Sequence, residues 1–367
     1  MSCDAAPFRA DHVGSLLRPE SLIAARRDVK RGGLNAEELC EREDQAIRDV
    51  VARQESIGLA AITDGEFRRE WWHLDFLSQF DGVTLRENPG LKFGGTEIQP
   101  PIAAVTARIR YSRPIMVSAF EFLRRVTCRT AKLTIPSPSM LHLRGGRSAI
   151  SREVYPDLEE FWGDVAAAYR QSIMAFAAAG CEYLQLDDVS FAYLADEKFR
   201  ESCRRNGDAP LELPRRYVQT INEALRDRPP GLRVTLHTCH GNFRSSWATE
   251  GGYEFVAESM FQSNIDGFFM EYDSARSGSY EPLRFLPRTK KVVLGLVTTK
   301  VGQIESEDEI LRRIDAAAKI VPLENLCLSP QCGFSSHETG NKLSHDEQWR
   351  KLELVVRVAE KVWGTTS

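Results

Sequence analysis

Short hydrophobic runs recur along the chain, and stretches with helical periodicity separate them. Eight of these runs are rich in β-branched and aromatic residues, and most end in polar side chains that are unusual for a core strand. The predicted strands cover residues 11–16, 60–66, 131–138, 183–188, 233–239, 267–273, 291–299 and 326–334. Runs of this length, bounded by turn residues, are typical of strands.

Amphipathic segments lie between the predicted strands. The clearest predicted helices cover residues 36–57, 157–179, 214–226, 306–320 and 344–363. Asn35 is a candidate N-cap for the first of them, and Gly180 follows the second as a stop signal. Strand followed by helix, repeated eight times, predicts an α/β fold in the form of a (β/α)8 TIM barrel.

The chain is longer than a minimal barrel, which takes about 250 of its 367 residues. We expect one domain over residues 1–367, with an N-terminal helical extension and an insertion after strand 2, at about 67–130. In that insertion, proline, glycine and arginine interrupt any long helical pattern. The alternative architecture is an open doubly wound sheet, but no GxGxxG phosphate loop follows the first predicted strand.

Composition and charge narrow the possible partners. Hydrophobic residues make up 42% and charged residues 27% of the chain, which excludes a disordered or fibrous protein. Its 48 basic and 52 acidic residues are interspersed and give a net charge of −4, so neither a nucleic-acid nor a membrane surface is indicated. No signal peptide or membrane span is recognisable, and the eight cysteines form no CxxC pair. These features predict a cytoplasmic protein with a small-molecule ligand and leave its oligomeric state open.

Four residues with metal-ligand chemistry lie at predicted strand ends. His237 and Cys239 are two positions apart on one strand, so their side chains leave the same face. Glu271 ends the next strand, and Cys332 ends the eighth. Functional residues of such barrels lie at the carboxyl ends of the strands. One nitrogen, two sulfurs and one carboxylate form a zinc-like set, although a single buried His or Cys is more often an ordinary core residue.

Carboxylates form a second group at the same predicted edge. Glu66 closes strand two with Asp64, and Asp187 closes strand four with Asp188. Acids facing one mouth would repel each other unless a cation lies between them, which suggests a substrate ammonium. The alternative is that each acid caps the following helix. At the end of strand one, the backbone and hydroxyl of Val13-Gly14-Ser15 could hold a carboxylate.

These segments closely resemble the catalytic half of cobalamin-independent methionine synthase, in its short single-barrel relatives. The resemblance runs over nearly the whole chain, in the segments HVGSLLRP, ITDGEFRREWW, LQLDD, LHTCHGNF, FFMEYD and SPQCGF. It implies that His237, Cys239, Glu271 and Cys332 bind a catalytic Zn²⁺. It also implies that the amino-acid thiol is held by Val13, Ser15, Glu66 and Asp187.

The sequence departs from this family at two places. Full-length synthases carry a catalytic His in a YDIHSP segment, whereas this chain reads LVTTKVG and offers Lys300 as the candidate proton donor. The synthases also have a folate-stacking aromatic residue after strand three, where this chain has His142 and no Trp. Trp71 and Trp72 could supply a different platform for the donor, or they could be lid packing.

Three hypotheses follow. The first is a zinc-dependent thiol S-methyltransferase that makes methionine from homocysteine, with methyltetrahydrofolate or another methyl carrier as donor. The second is a thiol alkyltransferase or lyase of the epoxyalkane:coenzyme M transferase type. The third is a barrel with structural zinc and no turnover. Structural zinc ligands usually lie close together in sequence, and carboxylates at the thiol pocket disfavour a sulfonate thiol, so the first hypothesis is preferred.

Overall fold

A curled parallel sheet of seven strands forms the centre of the protein. The computed structural model describes residues 6–87 and 101–367. The strands are β1 (Ala61–Ile62), β2 (Asp81–Arg86), β3 (Ile102–Arg110), β4 (Thr130–Pro136), β5 (Tyr183–Asp188), β6 (Arg233–Thr238), β7 (Gly267–Glu271), β8 (Lys291–Val297) and β9 (Leu326–Pro330). The parallel sheet has the order β1-β4-β5-β6-β7-β8-β9, and β2 and β3 form a separate antiparallel pair.

The prediction of a regular strand over residues 11–16 was wrong. The segment instead runs as irregular chain between β9 and β1. On the β9 side, Asp11 N donates to Leu328 O at 3.0 Å. On the β1 side, Leu16 N donates to Gly65 O at 3.0 Å. Gly14 has a φ of +138°, which an extended strand does not adopt, so the ring is closed by an irregular eighth segment.

Helices cover the outside of the sheet. They are α1 (Glu20–Lys30), α2 (Ala36–Ser56), α3 (Leu74–Leu77), α4 (Val117–Val126), α5 (Met140–Leu143), α6 (Leu158–Ala178), α7 (Ser190–Ala195), α8 (Glu197–Arg205), α9 (Leu213–Ala224), α10 (Glu254–Met260), α11 (Glu307–Ala318) and α12 (His345–Trp363). Helices α1 and α2 precede β1 and form the N-terminal extension. No helix in residues 6–87 or 101–367 is long and apolar enough to cross a membrane.

The five predicted helices are confirmed as α2, α6, α9, α11 and α12. Asn35 caps α2 as predicted, because its side chain accepts from the Glu38 amide while the Glu38 side chain accepts from the Asn35 amide. Ser344 and Glu347 form the same reciprocal pair at the start of α12. Side chains in the sequence therefore set the beginnings of both long helices.

The predicted insertion holds the antiparallel hairpin β2–β3, flanked by α3 and α4. The hairpin pairs Val83 with Val105, and β3 packs on α6. Residues 88–100 of the insertion lie outside the described residues. The organisation of the chain as a single domain stays a prediction.

A buried ion pair joins the irregular segment to the sheet. Lys132 Nζ on β4 lies 2.9 Å from Asp11 Oδ1, and both side chains are fully buried. The Tyr183 hydroxyl donates to the other Asp11 oxygen at 2.7 Å, and the Lys132 ammonium lies 4.1 Å from the centre of the Phe269 ring. Burial lowers the pKa of Lys132, and Asp11 opposes this effect. The pair fixes the position of the segment that leads into Val13.

Candidate active site

A cavity that opens to solvent lies at the carboxyl ends of the parallel strands. Nine of the residues predicted from the sequence line it, namely Val13, Ser15, Glu66, Trp71, Trp72, Asp187, His237, Cys239 and Cys332. The two remaining predicted residues, Glu271 and Lys300, are buried near the cysteines and are not part of the lining. The cavity therefore brings together the predicted metal ligands and the predicted amino-acid pocket.

The centre of the cavity wall is a cluster of one histidine and two cysteines. His237 lies on β6, Cys239 follows that strand, and Cys332 follows β9. One ligand atom from each lies within 4.8 Å of the others, and all three residues are buried. The two sulfurs are 3.6 Å apart. The hydrogen bond between them lowers the pKa of Cys332 well below its ordinary value and raises that of Cys239.

The spacing of the sulfurs fits a zinc ion. A tetrahedral zinc with Zn–S bonds of about 2.3 Å separates two sulfur ligands by about 3.8 Å. The observed 3.6 Å is close to this value without any disulfide geometry, since S–S bonds are about 2.0 Å long. Two sulfurs and one imidazole leave one tetrahedral position open, as in catalytic zinc sites.

His237 has polar partners on both ring nitrogens. Its Nδ1 lies 3.3 Å from Asp187 Oδ1, and its Nε2 lies 3.4 Å from the Gln331 carbonyl oxygen. Burial disfavours the charged ring, but Cys332 and Asp187 outweigh burial and raise the pKa of His237 to about 10. A metal cation would replace this proton, because a ligand imidazole is neutral. A carboxylate beside a ligand imidazole also orients the ring.

Glu271, the fourth predicted ligand, is not among the three residues whose ligand atoms lie within 4.8 Å of one another. Its Oε1 accepts from Arg276 Nη2 at 2.6 Å, and its Oε2 accepts from the His240 amide at 2.8 Å. Lys300 Nζ lies 3.9 Å from Oε1. Burial would raise the pKa of Glu271, but Lys300, the His240 N–H and Arg276 hold it well below its usual range. Its role as a metal ligand stays a prediction.

Two carboxylates form a separate polar pocket in the same cavity. Glu66 has a φ of +60°, an unusual conformation for a residue with a side chain, and it turns a buried carboxylate toward the cavity. Its Oε1 accepts from the Thr134 hydroxyl at 2.9 Å, whereas its buried Oε2 has no hydrogen-bond partner in the described chain. Asp187 is held by Gln185 at 2.7 Å. A substrate ammonium is the ligand that this pair of acids would accept.

Burial raises the pKa of Glu66 to about 7. The neighbouring Asp187 acts in the same direction, while the charges of Arg69 and Arg18 act against it. Arg69 Nη1 lies 3.6 Å from Glu66 Oε2. An incoming ammonium would favour the ionised carboxylate.

Close backbone packing positions Ser15 at the cavity. A side chain at Gly14 would lie 2.6 Å from Thr134 Cγ2, and one at Gly333 would lie 2.0 Å from the Ser15 hydroxyl. Glycine at both positions therefore lets the irregular segment approach β4 and the loop after β9. The Ser15 hydroxyl accepts from the Ser335 amide at 3.3 Å, and Val13 and Ser15 both line the cavity.

Comparison with known proteins gives the family. Residues 8–361 match the family model described as the catalytic domain of cobalamin-independent synthase. The chain belongs to this family. The predicted methionine-synthase-like methyltransferase is thereby confirmed at the level of the family.

Relatives of this synthase-family chain align over nearly its full length. The uncharacterized protein YxjH of Bacillus subtilis is 46% identical, covering 98% of this chain and 95% of the relative. A methionine synthase of Saccharolobus solfataricus is 24% identical over 88% of this chain and 86% of its own.

Solved structures support the barrel fold of this synthase family. A putative vitamin-B12 independent methionine synthase of Listeria monocytogenes has a TM-score of 0.79 and 39% identity, covering 98% and 99% of the two chains. A B12-independent methionine synthase of a Shewanella species, in complex with selenomethionine, has a TM-score of 0.73 at 21% identity, covering 96% and 97%. The predicted α/β barrel class is confirmed.

In this synthase-family cavity the two tryptophans have different surroundings. Trp71 stacks on Phe243, with ring centres 5.7 Å apart and planes at 12°, and its ring centre lies 4.2 Å from that of His337. The ring centres of Trp72 and His73 are 4.5 Å apart. Among the described residues Trp71 therefore contacts two other rings and Trp72 contacts one, which makes Trp72 the freer of the two predicted platforms.

One acid predicted at the end of strand four, Asp188, has a structural role, and several residues that line the cavity were not predicted. Asp188 is bound by the hydroxyls of Ser137, Ser139 and Ser190, so it fixes the turns after β4 and β5. The unpredicted lining residues include His73, Arg144, Tyr193, Asn242 and Phe243. They come from loops and short helices rather than strand ends; Asn242 and Phe243 belong to the LHTCHGNF segment, whereas no motif marks His73, Arg144 or Tyr193.

Proposed function

We propose that this synthase-family protein is a zinc-dependent thiol S-methyltransferase that converts homocysteine into methionine. One observation carries the proposal. A single cavity holds a His237–Cys239–Cys332 cluster with zinc-like spacing and, beside it, the two carboxylates Glu66 and Asp187. The cluster suits a thiol, and the carboxylates suit the ammonium of an amino acid.

Different residues around the cavity would bind the metal, the ammonium and the carboxylate of the amino acid. Zinc, when bound, supplies a Lewis acid that keeps a substrate thiol deprotonated at neutral pH. Glu66 and Asp187 hold the ammonium and thereby fix the amino-acid backbone. Val13 and Ser15 face the same space and would contact the carboxylate end. Asp187 also lies 3.3 Å from His237, so it links the amino-acid pocket to the cluster.

Lys300 is proposed as the proton source for the departing group, and Trp72 as the surface on which a ring-containing donor lies. The donor is methyltetrahydrofolate or another methyl carrier. Lys300 Nζ is buried, has no hydrogen-bond partner in the described chain, and lies 3.9 Å from Glu271. A buried ammonium that makes no hydrogen bond and has only this long ion pair with Glu271 is costly, which supports a functional role for it. The selenomethionine named with the Shewanella structure resembles the proposed product and supports an amino-acid site in the fold.

A thiol alkyltransferase of the epoxide-opening type would use the same cluster. Its sulfonate thiol would need cations at the amino-acid pocket, where this chain has Glu66 and Asp187. Two buried acids disfavour an anion by charge repulsion. Homocysteine is therefore the preferred thiol.

The experiment is a turnover assay with zinc-loaded protein and L-homocysteine. Monoglutamyl methyltetrahydrofolate, its polyglutamate and methylcobalamin, each with an isotope-labelled methyl group, are supplied in parallel. We expect labelled methionine from at least one donor, and we expect Asp187→Asn to lower its formation. Labelled methionine from none of them, together with no detectable binding of L-homocysteine, would refute the proposal.

A further inference from the structure

An arginine with two unbonded side-chain nitrogens lies on the cavity wall beside the cysteines. Arg144 follows α5, and its Nε and Nη1 are buried without a hydrogen-bond partner in the part of the chain that is described. Buried guanidinium nitrogens that make no such bonds cost stability, and the guanidinium cannot lose its charge at neutral pH. Such a group is expected where a ligand supplies the missing acceptors.

Two further polar side chains on the same wall also lack partners. Both ring nitrogens of His73 and the hydroxyl of Tyr193 are buried and make no hydrogen bond in the described residues. Burial lowers the pKa of His73 well below its ordinary value, and the charge of Arg144 adds to this effect. His73 is therefore neutral, and its ring can donate one hydrogen bond and accept another.

The charge of this wall is opposite to that of the amino-acid pocket. Arg144 interacts electrostatically with Tyr193 and Cys239. On the other side of the cluster, Asp187 lies 3.3 Å from His237. The cavity thus has a cationic wall and an anionic wall, and they meet at the cysteines. A homocysteine ammonium held by the acids leaves the cationic wall for the second substrate.

We propose that Arg144, His73 and Tyr193 form a subsite for a carboxylate of the methyl donor. A guanidinium binds a planar carboxylate through two parallel hydrogen bonds, and the other two groups can add one each. A donor whose methyl group lies on a cationic sulfonium would be repelled by Arg144. This inference rests on the proposed function, because it assigns the remaining wall to the second substrate of that reaction.

The first test uses three ligands of nearly equal shape and different charge. Benzoate, benzamide and benzamidine carry charges of −1, 0 and +1 on the same ring. Each is titrated into zinc-loaded protein by calorimetry, with the fluorescence of Trp71 and Trp72 as a second signal. We expect benzoate to bind at least about tenfold more tightly than benzamide, and benzamidine to bind most weakly.

The second test replaces the guanidinium. Arg144→Met should abolish the preference for benzoate and raise the midpoint of thermal unfolding, by about 2 °C or more, because two buried charged nitrogens without hydrogen bonds are removed. Arg144→Lys should retain a weaker preference, since it keeps the charge without the planar fork. Arg110→Met changes an exposed arginine at the end of β3 and should alter neither property.

Each outcome decides the inference. Weak or charge-independent binding by the wild type overturns it, as does a benzoate preference that survives in Arg144→Met, which would indicate binding to zinc alone. A lower unfolding midpoint or loss of folding in Arg144→Met would show that the arginine is structural. Binding of L-methionine is measured on the same samples. If the wild type fails to bind L-methionine, the proposed function fails separately from the subsite.

Discussion

The raised pKa of Glu66 gives a quantitative prediction for amino-acid binding. Burial raises this pKa to about 7, with Asp187 and Asp64 adding to the effect and Arg69 and Arg18 opposing it. Only the ionised carboxylate attracts an ammonium strongly. With a pKa of about 7, roughly a tenth of Glu66 is ionised at pH 6 and roughly nine tenths at pH 8. The affinity for L-methionine should therefore rise about tenfold over this range.

The assay is calorimetric titration of zinc-loaded protein with L-methionine at several pH values and constant ionic strength. L-Methionine has no thiol, and its ammonium stays charged over this range, so Glu66 dominates the profile. Glu66→Gln should bind about ten- to a hundredfold more weakly at pH 8 and should show a flat profile. Glu70→Gln, outside the cavity, is the matched control and should retain the slope.

Two results would refute this reasoning. One is a wild-type affinity that does not change with pH, and the other is an unchanged slope in Glu66→Gln. The stability of the unliganded protein provides an independent check. Because the folded state raises the pKa from 4.5 to about 7, it holds the proton more tightly than the unfolded chain does. The ionisation of Glu66 should therefore lower the free energy of unfolding as the pH rises from 4.5 to about 7, and Glu66→Gln should remove that loss.

Three further predictions concern the metal, the buried ion pair and the proton source. Cys239→Ala and Cys332→Ala should each lose most of the bound zinc by elemental analysis while retaining a wild-type circular dichroism spectrum; full zinc in both would exclude the cluster as the metal site. Lys132→Met should lower the free energy of unfolding by about 3–5 kcal/mol in denaturant titrations, and a second change, Asp11→Leu, should restore part of the loss; equal stability of wild type and single variant would contradict this. Lys300→Met should slow methionine formation without changing zinc content or L-methionine affinity, and unchanged turnover would remove Lys300 from the reaction.

The sequence was most informative where chemistry and strand ends coincide. His237, Cys239 and Cys332 are far apart in the chain, yet parallel strands bring their carboxyl ends to one edge, and the cavity unites them. Glu66 and Asp187 were found by the same rule. The rule works because the barrel fixes where each strand ends, independently of the loops that follow.

Features that depend on tertiary packing could not be predicted from pattern alone. The segment 11–16 has the composition of a strand and bonds to the chain on both sides, but the φ of +138° at Gly14 interrupts its extended backbone. Glu271 ends β7 as predicted, but no pattern in the sequence indicates that Arg276 and the His240 amide bind its carboxylate. Arg144 has no motif, because only the folded chain shows that its Nε and Nη1 are buried without a hydrogen-bond partner.

The buried contact between Asp11 and Lys132 also constrains how the sequence can evolve. Loss of either charge alone leaves the other unpaired beside Tyr183 and Phe269, where water cannot compensate it. Replacement of both by apolar residues would remove the penalty, but it requires two substitutions through an unstable intermediate. We therefore expect the two positions to covary among relatives, either both charged or both apolar. A lineage that has lost one charge should carry a compensating change at the other position.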